Sequence, residues 1–386
     1  MNKEFIQFHR PFITEDEVAE VADSIRSGWW TTGPKTLRFE QEFNHFIGSK
    51  FSISANSWTA SAHLALEAFN LQENDEVIIP AMTFTATAEI ICYFRAKPVI
   101  VDVQEDTFNI DPDQIEKSIT NKTKAVIPVH YSGQPCDMDE ISGLSKKNNI
   151  KIIEDAAHAL PAYYKNKKIG TIGDVTCFSF YATKTLATGE GGMICTDDEQ
   201  IARRCSIMRL HGINKDAWKR YSSEGTWYYE VVSPGFKYNF TDIQASLGLA
   251  QLKKIDRMLN LRKDIFNKYN SAFNDNPLIK LYKIKEDRES AHHLYPILLD
   301  IDNLTITRAE FIIKLKELGI GTSVHFIPLY RHPFYRDFLN LTPKMFPVSE
   351  YIYERVITLP IWPGMTDSQI YRVTEAVNNI SKKYKK

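Results

Sequence analysis

A lysine among small residues is the first candidate for chemistry. The run Phe178-Ser179-Phe180-Tyr181-Ala182-Thr183-Lys184-Thr185-Leu186-Ala187-Thr188-Gly189-Glu190-Gly191-Gly192 leads from an apolar stretch to Lys184, then into a glycine-rich turn. A lysine held in such a pocket loses hydration, its pKa falls, and its amine becomes a nucleophile. Taken alone, a loop lysine is better explained as a solvated surface charge. In Ile152-Ile153-Glu154-Asp155-Ala156-Ala157-His158 an apolar strand runs into two carboxylates. Asp155 there can hold a cation or, more simply, cap a helix. Ala55-Asn56-Ser57-Trp58-Thr59-Ala60-Ser61 precedes a helix, where backbone N–H groups and the Ser57 and Thr59 hydroxyls suit a phosphate, although capping alone explains them. Phe84 follows another strand and by itself reads as core. Together the four have a shared logic. Pyridoxal phosphate needs an amine for a Schiff base, an acid for its ring nitrogen, a ring to lie against and a phosphate cup. Lys184, Asp155, Phe84 and Ser57 with Thr59 answer those needs.

These residues require a scaffold that gathers strand ends. Short β-rich runs occur at 51–54, 76–79, 98–103, 125–130, 151–155, 175–180 and 192–196, and helical segments such as 60–69 and 138–148 separate several of them. Such alternation predicts an α/β fold with a mostly parallel seven-stranded sheet covered on both faces. Thr14 with Glu17 and Thr241 with Gln244 form capping boxes that open helices. After about residue 250 the texture becomes α+β, with strands expected at 291–301 and 321–326 and a helix at 308–318. The expected division is a large domain over 1–250 and a small C-terminal domain over 251–386.

The chain has 386 residues, 43% hydrophobic and 12% aromatic, which excludes disorder and permits a large core. With 47 basic and 48 acidic residues the net charge is -1, so an electrostatic nucleic-acid binder is not expected. The apolar stretch 77–94 contains Pro80, Thr83, Thr85, Thr87 and Glu89, and reads as strand, turn and helix rather than a membrane span. No targeting segment is apparent. Five cysteines without a C-x-x-C pair fit a reducing cytoplasm. No G-x-G-x-x-G follows the first strand, no P-loop or H-E-x-x-H occurs, and the pair His292-His293 lacks metal-ligand spacing, so no metal site is expected.

Ordered segments nearly end to end resemble the DegT/DnrJ/EryC1/StrS family of pyridoxal-phosphate-dependent sugar aminotransferases, of the aspartate-aminotransferase fold (fold type I). They include Ser27-Gly28-Trp29 with Thr31-Thr32-Gly33-Pro34, Asp75 to Pro80, Gly133-Gln134-Pro135, Glu154 to His158, Ser179 to Lys184 with Gly189-Glu190-Gly191-Gly192, and Gly235 to Gln244. The resemblance implies that Lys184 attaches the cofactor and then carries a proton between cofactor and substrate carbons. It implies that Asp155 pairs with the ring nitrogen, that His158 lies near the phenolic oxygen, and that Phe84 stacks on the ring. Ser57, the Trp58 backbone, Thr59 and Ser179 would bind the phosphate, and Asn239 would reach it from the other subunit of a homodimer. Trp30, Tyr181, Glu190 and His325 are weaker substrate candidates. Phe8-His9-Arg10-Pro11, Gly235-Phe236-Lys237-Tyr238-Asn239 and Gly319 to Phe326 resemble the subgroup acting at C4 of nucleotide-linked 4-keto sugars, the 4-amino-4-deoxy-arabinose type, which serves surface polysaccharide and lipopolysaccharide. Glutamate is the expected amino donor, with no nucleic acid or membrane partner. A 3-keto nucleotide sugar or a keto-octulosonate as acceptor, or a non-catalytic regulatory protein that binds the cofactor, are the alternatives. Two positions depart from the family pattern. Trp58 replaces a small residue, altering the cup or setting an indole beside the sugar, and Tyr181 stands where relatives often have His.

Overall fold

The computed structural model describes residues 4–214 and 228–386. Its centre is a seven-stranded sheet. The strands, with two short ones that lie outside it, are β1 (Phe51–Ala55), β2 (Glu76–Pro80), β3 (Lys97–Val101), β4 (Thr123–Val126), β5 (Lys151–Asp155), the hairpin strands β6 (Tyr163–Tyr164) and β7 (Lys167–Lys168), β8 (Val175–Ser179) and β9 (Gly192–Thr196). The large sheet has the order β1-β9-β8-β5-β4-β2-β3, and its β5–β8, β4–β5, β2–β4 and β2–β3 pairs are parallel. Strand β9 runs antiparallel to both neighbours. All seven expected strands form. The third and fourth end sooner than expected, at Val101 and Val126, before the segments that enter the site.

Helices cover both faces: α1 (Glu15–Ser27), α2 (Pro34–Ile47), α3 (Trp58–Ala68), α4 (Ala86–Cys92), α5 (Pro112–Ser118), α6 (Met138–Asn148), α7 (Glu199–Met208) and α8 (Asp242–Leu252). One apolar layer holds Phe39, Phe43, Phe178, Phe180 and Phe240, and the other holds Leu64, Leu66, Ile79 and Ile194. Burial of both sheet faces explains why β2 reads Glu-Val-Ile-Ile-Pro without alternation. The capping boxes at Thr14 and Thr241 are present. Asp242, in the first turn of α8, accepts from Lys35 N, Thr36 N and Thr36 Oγ1, so α2 and α8 start at one fixed point.

The remaining chain forms α9 (Ile255–Phe273), β10 (Ile279–Leu281), β11 (Arg288–Glu289), β12 (Tyr295–Leu299), α10 (Arg308–Glu317), α11 (Pro333–Leu339), α12 (Pro347–Arg355), β13 (Val356–Leu359) and α13 (Asp367–Lys383). Strands β10-β12-β13 make an antiparallel sheet, and β11 joins the β6–β7 hairpin. Tyr269, Phe273, Tyr295, Phe311 and Val373 fill the core behind the three-stranded sheet. The strand expected over 321–326 is absent. Gly321 N instead donates to Ile6 O, Ser323 alone bridges Thr358, and the chain then turns toward the large sheet. The segment makes only single bridges, Ile320 to Ile6 on one side and Ser323 to Thr358 on the other, and its pairing does not continue past Ser323. Likewise only 295–299 of the expected 291–301 strand pairs, and residues 291–294 cross toward the site. Among the described residues no helix is long and apolar enough to cross a membrane.

Candidate active site

The parallel strands deliver their carboxyl ends to one edge. Following β1 comes the start of α3, following β2 comes Thr83-Phe84, β5 ends in Asp155, and β8 ends at Ser179 before Lys184. Because β9 is reversed, its first residue, Gly192, also lies at this edge, placing Glu190 and Gly191 there. A cleft of about 630 Å³ opens above. It is lined by Ser57, Trp58, Thr59, Phe84, Asp155, His158, Ser179, Tyr181, Lys184, Glu190 and His325, eleven of the residues singled out in the sequence. Trp30 and Asn239 do not line the cleft of their own chain. Trp30 is 58% exposed, and Asn239 Nδ2 donates to Thr32 Oγ1 at 2.9 Å.

Strand alternation sends the adjacent carboxylates to opposite faces. Glu154 faces away from the cleft. Its Oε2 lies 3.0 Å from His130 Nε2, and its Oε1 accepts from Gly173 N and Thr176 Oγ1. His130 Nδ1 accepts from Cys136 N, so Nε2 carries the proton and donates to Glu154. Asp155 faces the cleft. Its Oδ1 accepts from Ala157 N at 3.1 Å and its Oδ2 from Thr87 Oγ1 at 3.2 Å. Burial pushes the Asp155 carboxyl up to about 6, opposed by the Ala157 N–H, the charge of Lys184 and the Thr87 hydroxyl. Burial draws the Lys184 amine down to about 8, with Asp155 pulling the other way. The two groups therefore share a desolvated site in which each favours the charged form of the other.

One corner of the cleft lies at the start of α3. Ser57 is its N-cap, with Oγ accepting from Ala60 N at 3.0 Å, and the first turn leaves backbone N–H groups without intrahelical partners. A Cβ on Gly192 would stand 2.4 Å from Ser57 O, so only glycine lets β9 pass this helix start. The Trp58 indole turns under α3 into the core, 7% exposed, and donates to Cys177 O at 3.1 Å. Phe84 overhangs the cleft with its ring 6.4 Å from Phe326.

His158 is buried, its ring stacked on Phe326 at 5.8 Å and 4.5 Å from the ring of His293. Burial, then Lys184 and His325, hold its pKa well below the ordinary value, so the imidazole is neutral. His325 Nδ1 lies 3.0 Å from Thr358 Oγ1, and the His325 ring stacks with Phe8 at 5.6 Å. Sequence reasoning missed Thr87, Phe326, Ile361 and the use of His293. Their only signals were a Thr83–Thr87 helical spacing and a histidine doublet. Among the described residues no group of three or more His, Cys, Asp or Glu side chains is placed to hold a metal ion.

A buried carboxylate, a lysine amine of lowered pKa, a helix start and an overhanging aromatic ring around one cleft suit pyridoxal phosphate. The sequence pattern of the DegT/DnrJ/EryC1/StrS aminotransferase family matches residues 11–378. The chain belongs to that family. It is 46% identical over 379 residues to the spore coat polysaccharide biosynthesis protein SpsC of Bacillus subtilis (strain 168), covering 98% of this chain and 97% of SpsC. Among solved structures it is similar to the PMP-form of Spr1654 from Streptococcus pneumoniae, described as a sugar aminotransferase, with a TM-score of 0.91 and 36% identity over 99% of this chain and 100% of that one. It is also similar to Helicobacter pylori PseC, an aminotransferase of pseudoaminic acid biosynthesis, with a TM-score of 0.92 and 29% identity over 99% of this chain and 100% of that one. Spr1654 is known in a PLP-form as well. This family member is thus a pyridoxal-phosphate-dependent sugar aminotransferase of fold type I, which disposes of the non-catalytic alternative.

Proposed function

We propose that the enzyme moves the amino group of glutamate to C4 of a nucleotide-linked 4-keto sugar destined for surface polysaccharide or lipopolysaccharide. The observation that carries the chemistry is the Lys184 amine, drawn down to about 8, sharing one cleft with buried Asp155. Similarity to SpsC supports a polysaccharide route, and similarity to PseC supports an amino-sugar product. When bound, pyridoxal phosphate supplies an electron sink for the pair left as the substrate carbon loses its proton. Asp155 holds the proton on the ring nitrogen, since an adjacent cation returns its carboxyl to the ionised form. Lys184 would hold the cofactor through its neutral amine and, once the donor's own amine has displaced it, would take the proton from one carbon and return it to another. His158 would orient the phenolic oxygen, and Phe84 would lie against the ring. Ser57, the Trp58 N–H, Thr59 and Ser179 hold the phosphate. Tyr181, Glu190 and His325 face the sugar.

In this reading Trp30 and Asn239, which miss the cleft of their own chain, serve the cleft of a second copy in a cytoplasmic homodimer. The chain divides near residue 250 into a cofactor-binding domain and a smaller one. The test is mass spectrometry of products from a panel of keto sugars with glutamate, alongside the cofactor spectrum. Amination of a 4-keto nucleotide sugar is expected, with the yellow form bleached by glutamate. Amination of only a 3-keto sugar or a keto-octulosonate would overturn the C4 assignment.

A further inference from the structure

The histidine doublet is split by the fold. His292 packs against Phe266, with ring centroids 4.6 Å apart, whereas His293 lines the cleft beside His158 and is 5% exposed. The Nδ1 of His293 is buried without a partner. Behind it lies Arg262 of α9, 1% exposed. Arg262 Nη1 donates to the carbonyls of His293 at 3.2 Å and Ile361 at 3.0 Å, two residues of the cleft wall. Its Nε is buried with no partner, and among the described residues no carboxylate pairs with it. Burial lowers the Arg262 pKa only to about 9, so it remains a cation at neutral pH.

A buried guanidinium without a counter-anion is unfavourable. The groups that bear most strongly on His293 are His158, Lys184, Arg262 and His9, none of them an anion. Burial and those neighbours keep His293 neutral, so it has one N–H to donate. Among the described residues no arginine lines the cleft itself. A carboxylate entering this corner would meet a hydrogen-bond donor with fixed positive charge behind it.

We propose that His293 is the seat of the amino donor's α-carboxylate, with Arg262 as the positioning residue that fixes its backbone and supplies the field. The inference rests on an amino acid such as glutamate being the donor. The α-carboxylate is specified because it adjoins the carbon whose proton Lys184 moves, and His293 lines the same cleft as Lys184.

The experiment uses the holoenzyme and the variants His293→Leu, His293→Gln, Arg262→Met and Arg262→Lys. Calorimetry with 2-methyl-L-glutamate, which cannot lose a Cα proton, reads binding apart from turnover. Half-reaction kinetics compare L-glutamate, its 1-amide and L-glutamine. His293→Leu is expected to weaken 2-methyl-L-glutamate about tenfold or more, with His293→Gln recovering most of that. Arg262→Met is expected to erase the preference for glutamate over its 1-amide, with Arg262→Lys retaining part of it. In all four variants the keto-sugar half-reaction should lose clearly less than the glutamate half-reaction. Unchanged glutamate binding, equal losses in both half-reactions, or lost discrimination against glutamine in place of the 1-amide would overturn the assignment. Should Arg262→Met not fold, the Leu and Gln variants at His293 decide the matter. A wild-type enzyme that glutamate does not convert at all would instead overturn the donor reading.

Discussion

The floor of the cleft is the carboxyl edge of a parallel sheet, where Asp155 is held by the N–H of Ala157 and the hydroxyl of Thr87. The opposite wall comes from the N-terminal segment and the flanks of the small sheet, and there His9 and His293 each keep a buried ring nitrogen without a partner. A satisfied carboxylate beside a desolvated amine is complete before any sugar arrives, apart from the cofactor. The wall holds two of the cleft's unpartnered ring nitrogens, and His158 Nδ1 beside the floor is a third. In the proposed reading the floor sets the reaction and the wall sets what reacts.

Substitutions can break that division. Lys184→Ala should lower turnover about 10⁴-fold or more for every donor and acceptor, since it removes both attachment and proton transfer. Steady-state assays with several amino acids would check that the loss is uniform. Asp155→Asn should cost about a hundred- to a thousandfold in turnover while the fold remains. In the cofactor-free protein the same change should stabilise. The folded-state pKa of Asp155, about 6, lies above its ordinary 3.8, so wild-type stability falls as pH rises across that window. At pH 7.5 the Asn variant should gain roughly 2–3 kcal/mol in urea unfolding, and a loss there would contradict burial as the cause of the raised pKa.

Smaller effects sharpen the comparison. The rate at which cofactor-free protein captures pyridoxal phosphate should rise with pH through about 8, where the Lys184 amine sheds its proton, and level off above. A rise centred near 10.5 would show an ordinary exposed lysine. Trp58→Phe should cost about 1 kcal/mol of stability through the lost bond to Cys177 O and leave sugar preference unchanged. On the wall, His325→Ala should raise KM for the keto sugar several-fold with little change in kcat. A wall variant that reduced kcat as severely as Asp155→Asn would collapse the distinction.

The floor was legible because each of its groups sits within a few residues of a strand end. Ile152-Ile153-Glu154-Asp155 announces a strand and its terminal acid, and Ser179 to Lys184 announces the next. Strand alternation even separates Glu154 from Asp155, although the sequence does not say which face carries the cleft. The wall was illegible for the converse reason. His293 and Arg262 are 31 residues apart and meet through a backbone carbonyl, and no periodicity records such a contact. Gly321–Phe326, expected as a strand, is the loop that carries His325, because its pairing stops at the single Ser323–Thr358 bridge and the chain then enters the cleft wall.

By itself, then, the amino-acid order determined the seven strands, their capped helices and the four residue types that pyridoxal phosphate requires, since strand ends, caps and glycine turns are local consequences of side-chain chemistry. Tertiary structure alone decided the rest. It turned the Trp58 indole into the core, left Trp30 and Asn239 outside their own cleft, and set a buried cation behind a neutral histidine. Those outcomes depend on which distant segments share a volume, and burial and charge pairing are properties of that volume rather than of any stretch of chain.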